Sequence, residues 1–255
     1  MSKFLIILLG GMILLGCQKD SGSSNSNNNN NNNNGDGSTS GASHSCGAKD
    51  VHNPNKTYGT VTDVDGNTYK TIQIGTQTWM AENLKTTKYR NGTPIPNVTD
   101  NTQWQNNTNG AYCSYENNAS NDCPYGKLYN WYAVTNTNQL CPTGWHVPTN
   151  AEWTTLTTFL GGESVAGGKM KSTGTQYWIT PNTGATNSSG WSGLPGGDRD
   201  PNGRFDKIGL EGYWWSSTKR EVSSIWIRGL VYGIDAAGIG YLDSWSGFSV
   251  RCLKD

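Results

Sequence analysis

Cys141-Pro142-Thr143-Gly144-Trp145-His146-Val147-Pro148-Thr149-Asn150-Ala151-Glu152-Trp153 contains a legible helix start. Thr149 stands where an N-cap belongs, and Glu152 follows three residues later, the spacing of a capping box. Trp153, Leu156 and Leu160 then recur on one helical face, and Gly161-Gly162 stops the run. Gly247-Phe248-Ser249-Val250-Arg251-Cys252 answers this stretch near the C-terminus. Cys141 and Cys252 bracket the helix and all that follows it, which makes them the expected disulfide. Closing a loop of about a hundred residues contributes roughly 4–5 kcal/mol by chain entropy, less any strain.

Upstream, residues 59–75 alternate apolar and polar around Asp65-Gly66 and read as a β-hairpin. Thr78 to Leu84 continues the strand or turns into a short helix. Residues 90–110, rich in Asn, Thr and Pro, read as a long surface loop. Leu128 to Val134 fits either strand or helix. From Thr173 onward the chain is Gly-rich, with short strands at Trp214–Ser217, Ile225–Val231 and Phe248–Leu253. Trp214 and Trp215 are neighbours, so in a strand only one can enter a given core and the other needs a second layer or a partner. The pattern predicts one α+β domain over residues 46–255, with short strands, two or so helices and long loops.

The 141–153 segment, Tyr125-Gly126-Lys127-Leu128-Tyr129-Asn130-Trp131-Tyr132 and Gly212-Tyr213-Trp214-Trp215-Ser216-Ser217-Thr218 together resemble the Fibrobacter succinogenes major paralogous domain, a family of bacterial secreted and surface proteins. The resemblance runs from about Thr57 to Asp255. His146 to Trp153 is also distantly similar to a segment of the formylglycine-generating, sulfatase-modifying family. That likeness implies a C-type-lectin-like fold and favours helix for Leu128–Val134. It does not say which ligand is bound, since fold alone does not set function.

At the other end, Lys3 and the apolar run Phe4–Leu15 read as a signal peptide over residues 1–16, too short to span a bilayer. Leu14-Leu15-Gly16-Cys17 resembles a lipobox, which makes Cys17 the expected lipidated residue. Several acyl chains on one residue would anchor the chain stably. Gln18-Lys19-Asp20 resembles the surface-export tags of some outer-membrane lipoproteins, so the expected location is the outer membrane, facing outward. Residues 17–45 are Ser, Asn, Gly and Asp, with an unbroken Asn27–Asn34 tract. They have little to bury and read as a disordered tether spanning roughly 30 Å.

The whole chain has 19 basic and 19 acidic side chains, and loss of residues 1–16 with Lys3 would leave a formal charge of −1. That balance argues against nucleic acid, which demands a basic footprint. Aliphatic residues are sparse beside 11 Trp and 12 Tyr, so aromatics must supply much of the core. Beyond Cys17 and the Cys141–Cys252 pair, Cys123 has Cys113 or Cys46 as its partner, and one cysteine is left over. No CxxC spacing suggests zinc.

Catalytic motifs are scarce. His44 and His52 lie in or beside the tether and His146 reads as packed, so no Ser/His/Asp or Cys/His set assembles. Glu82 is either a buried hydrogen-bonding residue or half of a glycosidase pair, and no second acid arrives in a motif. The sulfatase-modifying resemblance implies a late pair of catalytic cysteines, which this chain lacks. Asp198-x-Asp200-x-Asn202-Gly203, with Asp206 following, matches the first half of a calcium loop, although Gly209 stands where the bidentate Glu belongs. Asp63 and Asp65 have the same ambiguity, and the hairpin explains them better. The lectin-like resemblance places ligands near residues 187–206 and 230–246, which hold Trp191, Tyr232, Asp235, Tyr241 and Trp245. The function expected is non-catalytic binding of a glycan or another surface macromolecule, with a protein–protein adhesion module as the alternative and an enzyme as a third.

Overall fold

A computed structural model describes residues 43–255. The signal segment, Cys17 and most of the tether lie outside them. In chain order the elements are β1 (Gly59–Thr62), β2 (Thr68–Ile74), β3 (Gln77–Met80), α1 (Asn101–Gln105), β4 (Tyr112–Cys113) and the single turn α2 (Asp122–Tyr125). There follow β5 (Leu128–Tyr129), α3 (Trp131–Val134), β6 (Trp145–His146), α4 (Asn150–Phe159) and α5 (Glu163–Met170). The last third is β7 (Gly196–Arg199), β8 (Phe205–Ile208), β9 (Glu211–Lys219), β10 (Ser224–Val231), β11 (Ala237–Asp243) and β12 (Leu253–Lys254). One sheet runs β1-β2-β3-β12-β6 and a second runs β11-β10-β9-β7-β8, with β4-β5 as a small ribbon. The class is α+β, as expected.

α4 begins as its capping box requires. The Thr149 side chain accepts from the Glu152 amide, and Glu152 Oε2 accepts from the Thr149 amide at 2.7 Å. Trp153, Leu156 and Leu160 are buried on one face, and Gly161 and Gly162 at φ 101° and 100° end the helix in a conformation side chains resist. The 59–75 hairpin is β1 paired with β2, and β3 extends it, so Thr78 continues a strand. Two local readings change. The 90–110 loop contains α1, capped by Asp100, and Leu128–Val134 divides into a two-residue strand and one helical turn capped by Asn130.

β9 resolves the adjacent tryptophans by having a core on each side. Trp215 packs with Tyr213, Phe248, Tyr129 and Ile227 in one cluster. Trp214 points the other way, into a cluster with Trp79, Trp153, Trp178, Trp191 and Leu156. There four indoles form a chain, with centroids 4.7 Å apart for Trp79–Trp153, 5.7 Å for Trp153–Trp191 and 4.9 Å for Trp191–Trp214. Large aromatics thus replace the missing aliphatic volume.

Cys141–Cys252 forms, tying the approach to β6 to the approach to β12. Cys46–Cys123 is the second bridge. Cys113 is free, and burial pushes its thiol up to about 11. His146 is half-exposed between two carboxylates, 2.9 Å from Glu152 Oε1 and 2.7 Å from Asp255 Oδ1. Among the described residues no helix is long and apolar enough to cross a membrane.

Candidate functional site

Register places one face of the second sheet in contact with both core and surface. Trp215, Tyr213 and Glu211 on β9 stand opposite Ile227, Gly229 and Val231 on β10. Ile227 and Gly229 stand opposite Gly240 and Gly238 on β11. The core covers the end of this face around Trp215 and Ile225. Toward Gly229 and Gly238 the face opens into an apolar trough. Ile227, Val231, Ile234 and Leu242 contribute its aliphatic lining and Tyr213 its ring. Ile239 and Tyr241 border it, but strand alternation turns their side chains to the other face of the sheet. It is shallow and open, with a cavity volume of about 40 Å³.

Three glycines make the floor, and conformation does not demand them, since none has positive φ. A Cβ on Gly238 would meet only Gly229 O, at 3.6 Å, and one on Gly240 only Ile227, at 3.5 and 3.7 Å. Both are ordinary contacts, so packing would tolerate side chains there. Gly229 is tighter, because the Tyr213 ring lies 3.1 Å from its would-be Cβ. The absent side chains leave open apolar space beside β11. That strand is the outer one of its sheet, and α5 packs against its first residues, where Ala237 is buried.

At the β9 end the trough meets carboxylates. The Tyr213 hydroxyl donates to Glu211, and burial together with that carboxylate pushes the phenol upward. Asp198 pairs across β7–β8 with Asp206. Burial, then the charges of Asp206, Glu211 and Asp200, push its carboxyl up to about 7.

The opposite rim, residues 231–236, is fixed by a lysine. Lys171 is wholly buried and its ammonium donates to the carbonyls of Thr183, Val231 and Ile234 at 2.8, 3.0 and 2.8 Å. Burial lowers it to about 8. The Gly168 amide donates to Asp235 O and the Thr183 amide to Tyr232 O, so the rim is held at several points.

A family model for the Fibrobacter succinogenes major domain matches residues 72–254. The chain belongs to that family. No curated protein and no solved structure matches it, so the lectin-like likeness gains no support. The family match begins inside β2 and leaves β1 and residues 43–58 outside it.

Within this member of the family, the residues picked from sequence separate. Tyr241 borders the trough only by its position on β11; its ring lies on the other face of the sheet, edge-on to Trp226, with the Arg220 guanidinium 3.8 Å from its ring centre. Tyr232 and Asp235 shape the rim. Trp245 is half-buried, packs edge-on to Tyr132, and its carbonyl accepts from Trp104 Nε1. Trp191 is not a binding residue. It has no exposed surface, and the Arg251 guanidinium lies 3.8 Å from its ring centre. The core took it because indoles are the main filling material available.

The calcium reading is also corrected. Asp200 and Arg204 close a hairpin turn, with Asp200 Oδ1 accepting from the Arg204 amide, and Asn202 is exposed. The Arg199 guanidinium, not a metal ion, gathers the nearby oxygens, bonding to Val98 O, Thr99 O, Asn101 Oδ1 and Gly203 O. Among the described residues no three His, Cys, Asp or Glu side chains are placed to hold a metal. Asp63 serves the hairpin, accepting from the Asp65 and Asn67 amides and from the Tyr69 hydroxyl. Asp65 binds Thr86, Thr87 and Lys88.

Sequence reasoning missed Tyr213 and the glycine floor. The readable signal was Gly238-Ile239-Gly240, alternating in a strand where glycine is unfavourable unless space is needed. It also missed a buried cluster. Glu82 is a buried acceptor, taking hydrogen bonds from His52 Nε2 at 2.9 Å and the Ser45 amide at 2.7 Å.

Proposed function

We propose that this protein is a membrane-tethered binding module that takes an extended, apolar polypeptide segment along the free edge of β11, with alternate side chains resting in the trough. The glycine floor beside an outer strand carries this reading. Edge strands are normally blunted by Lys, Pro, bulges or inward charges. β11 reads Ala-Gly-Ile-Gly-Tyr-Leu-Asp, and its only charge is the terminal Asp243. An added strand would satisfy the open backbone, and pockets for alternate side chains would give selectivity. Catalysis draws little support from a shallow apolar trough whose titratable groups gather only at its β9 end, around Glu211 and Asp198. A glycan platform draws little, because no tryptophan or tyrosine among the described residues is exposed. The lipobox Leu14–Cys17 and the Asn-rich run support tethering at an outer membrane, with the domain displayed outward.

The test is selection of random linear peptides on the full chain, with G238V/G240V as the counter-target. Alternating apolar segments should be enriched and should be lost on the variant. Peptides that bind both proteins equally, or a glycan array that responds where peptides do not, would overturn the reading.

A further inference from the structure

Residues 44–58 lie on the domain as a strap with three kinds of fastening. The first is covalent, Cys46–Cys123. The second is a set of ordinary bonds: the Tyr177 hydroxyl donates to Lys49 O, Asn187 Nδ2 to Val51 O, and Asn53 Nδ2 to Asn187 O. The third is ionic. His44 and His52 stack with centroids 5.8 Å apart, and both face the Glu82 carboxylate, at 3.6 and 2.9 Å. All three side chains are essentially without solvent contact.

The ring nitrogens of this cluster have no partner for another proton, and Glu82 Oε2 is likewise buried without a partner. His52 Nε2 faces Glu82, so the bonded tautomer leaves Nδ1 bare, and that atom is buried without a partner. His44 Nδ1 accepts from the Cys46 amide at 3.2 Å, and its Nε2 is buried without a partner. A proton on His52 Nδ1 makes a buried N–H with no acceptor. A proton on His44 Nδ1 sets two N–H groups against each other and breaks the bond to Cys46. The cations that face the histidines also oppose added charge. They are Lys70 on β2, Lys85 after β3 and Arg251 before β12, with the Tyr58 ring against His52.

We infer that residues 44–58 are an acid-releasable strap, closed by neutral His44 and His52 on Glu82 and locked by Cys46–Cys123. Release uncovers Glu82 and the Asn187–Ser192 loop beneath it. In the oxidised chain a pull from the N-terminus enters the domain at Cys46, so acid frees only a loop. In the reduced chain the same acid would free the whole strap, up to about 50 Å of extended chain. The inference is independent of the trough.

Burial, outweighing the pull of Glu82, holds His44 at about 4 and lowers His52 as well. Against burial, the His52 bond, the His44 charge and the Ser45 bonds hold Glu82 at about 2. The histidines therefore act first as pH falls. A histidine near 4 when closed and 6.5 when released weakens closure by up to roughly 300-fold.

The test is amide hydrogen exchange on the full chain at pH 7.5 and 4.5, corrected for intrinsic rates, in the oxidised protein and in C46S/C123S. Strap amides, Ser45 and Asn53 among them, should lose at least tenfold more protection than α4 amides, and C46S/C123S should lose more than the oxidised chain. The oxidised H44Q/H52Q variant should lose the pH step, which keeps the test valid if the serine pair does not fold. A strap that keeps pace with α4, or a pH step that survives in H44Q/H52Q, would overturn the inference.

Discussion

Gly238→Val places two methyl groups over the floor of the trough, and its effects on stability and binding should have opposite signs. The Cβ of residue 238 would have one neighbour, Gly229 O at 3.6 Å, and the backbone there is not in the left-handed region. Neither a Cβ clash nor left-handed backbone strain opposes the change. Glycine within a strand costs roughly 0.5–1 kcal/mol of backbone entropy relative to alanine, and valine adds favourable β-propensity. The variant should therefore gain about 0.5–1 kcal/mol. For a domain of this size that raises Tm by about 1–4 °C. A ligand side chain that rested on the floor would lose its burial, about 1–3 kcal/mol, which weakens binding by about 5- to 150-fold. Thermal unfolding and titration with a peptide selected on the parent chain measure both. A lower Tm would refute the reasoning about space. An unchanged Kd with intact stability would refute the use of the trough.

Three further outcomes follow from other parts of the fold. Trp191→Ala should destabilise the domain by about 3–5 kcal/mol in denaturant unfolding, whereas a surface binding residue would cost almost nothing. Thr149→Ala should cost about 1 kcal/mol by the same assay, since it removes the side-chain bond at the start of α4. Asp198 has a folded-state pKa of about 7, above its unfolded value near 3.8. The folded state therefore binds more protons than the unfolded state in that window, and stability falls as pH rises from about 4 to 7. Asp198→Asn should flatten this fall and, after allowance for solvent screening, gain about 1–2 kcal/mol at pH 8. A variant that follows the parent curve would remove the acidic cluster from the account.

What could be read from sequence was local or covalent. The capping box of α4, its glycine stop and the Asp-Gly hairpin depend on residues a few positions apart, so the sequence carries their physics directly. Cys141–Cys252 was readable because two cysteines framed a recognisable segment. The adjacent Trp214 and Trp215 implied two layers, and β9 has a core on each side. The errors share a different cause. Trp191 was placed by the lectin-like resemblance and the Asp198 loop by the spacing of half a motif, and neither says which neighbour arrives. In the folded chain Arg251 stacks on Trp191, and Arg199, not a metal, collects the oxygens near Asp200.

The strap shows the limit most clearly. His44 and His52 lie beside a polar tract with no periodicity, and Glu82 stands 30 residues beyond His52. Nothing local to any of the three says that they meet. Their meeting depends on Cys123, 77 residues from Cys46, and on the loop holding Asn187, which accepts Asn53 from across the domain. A histidine next to a polar run is ordinarily solvated and titrates near 6.5. Brought under Tyr58 and against Glu82, the same side chain is denied water and resists its proton. The pH response is therefore a property of tertiary placement, so H44Q/H52Q should remove it while the fold remains.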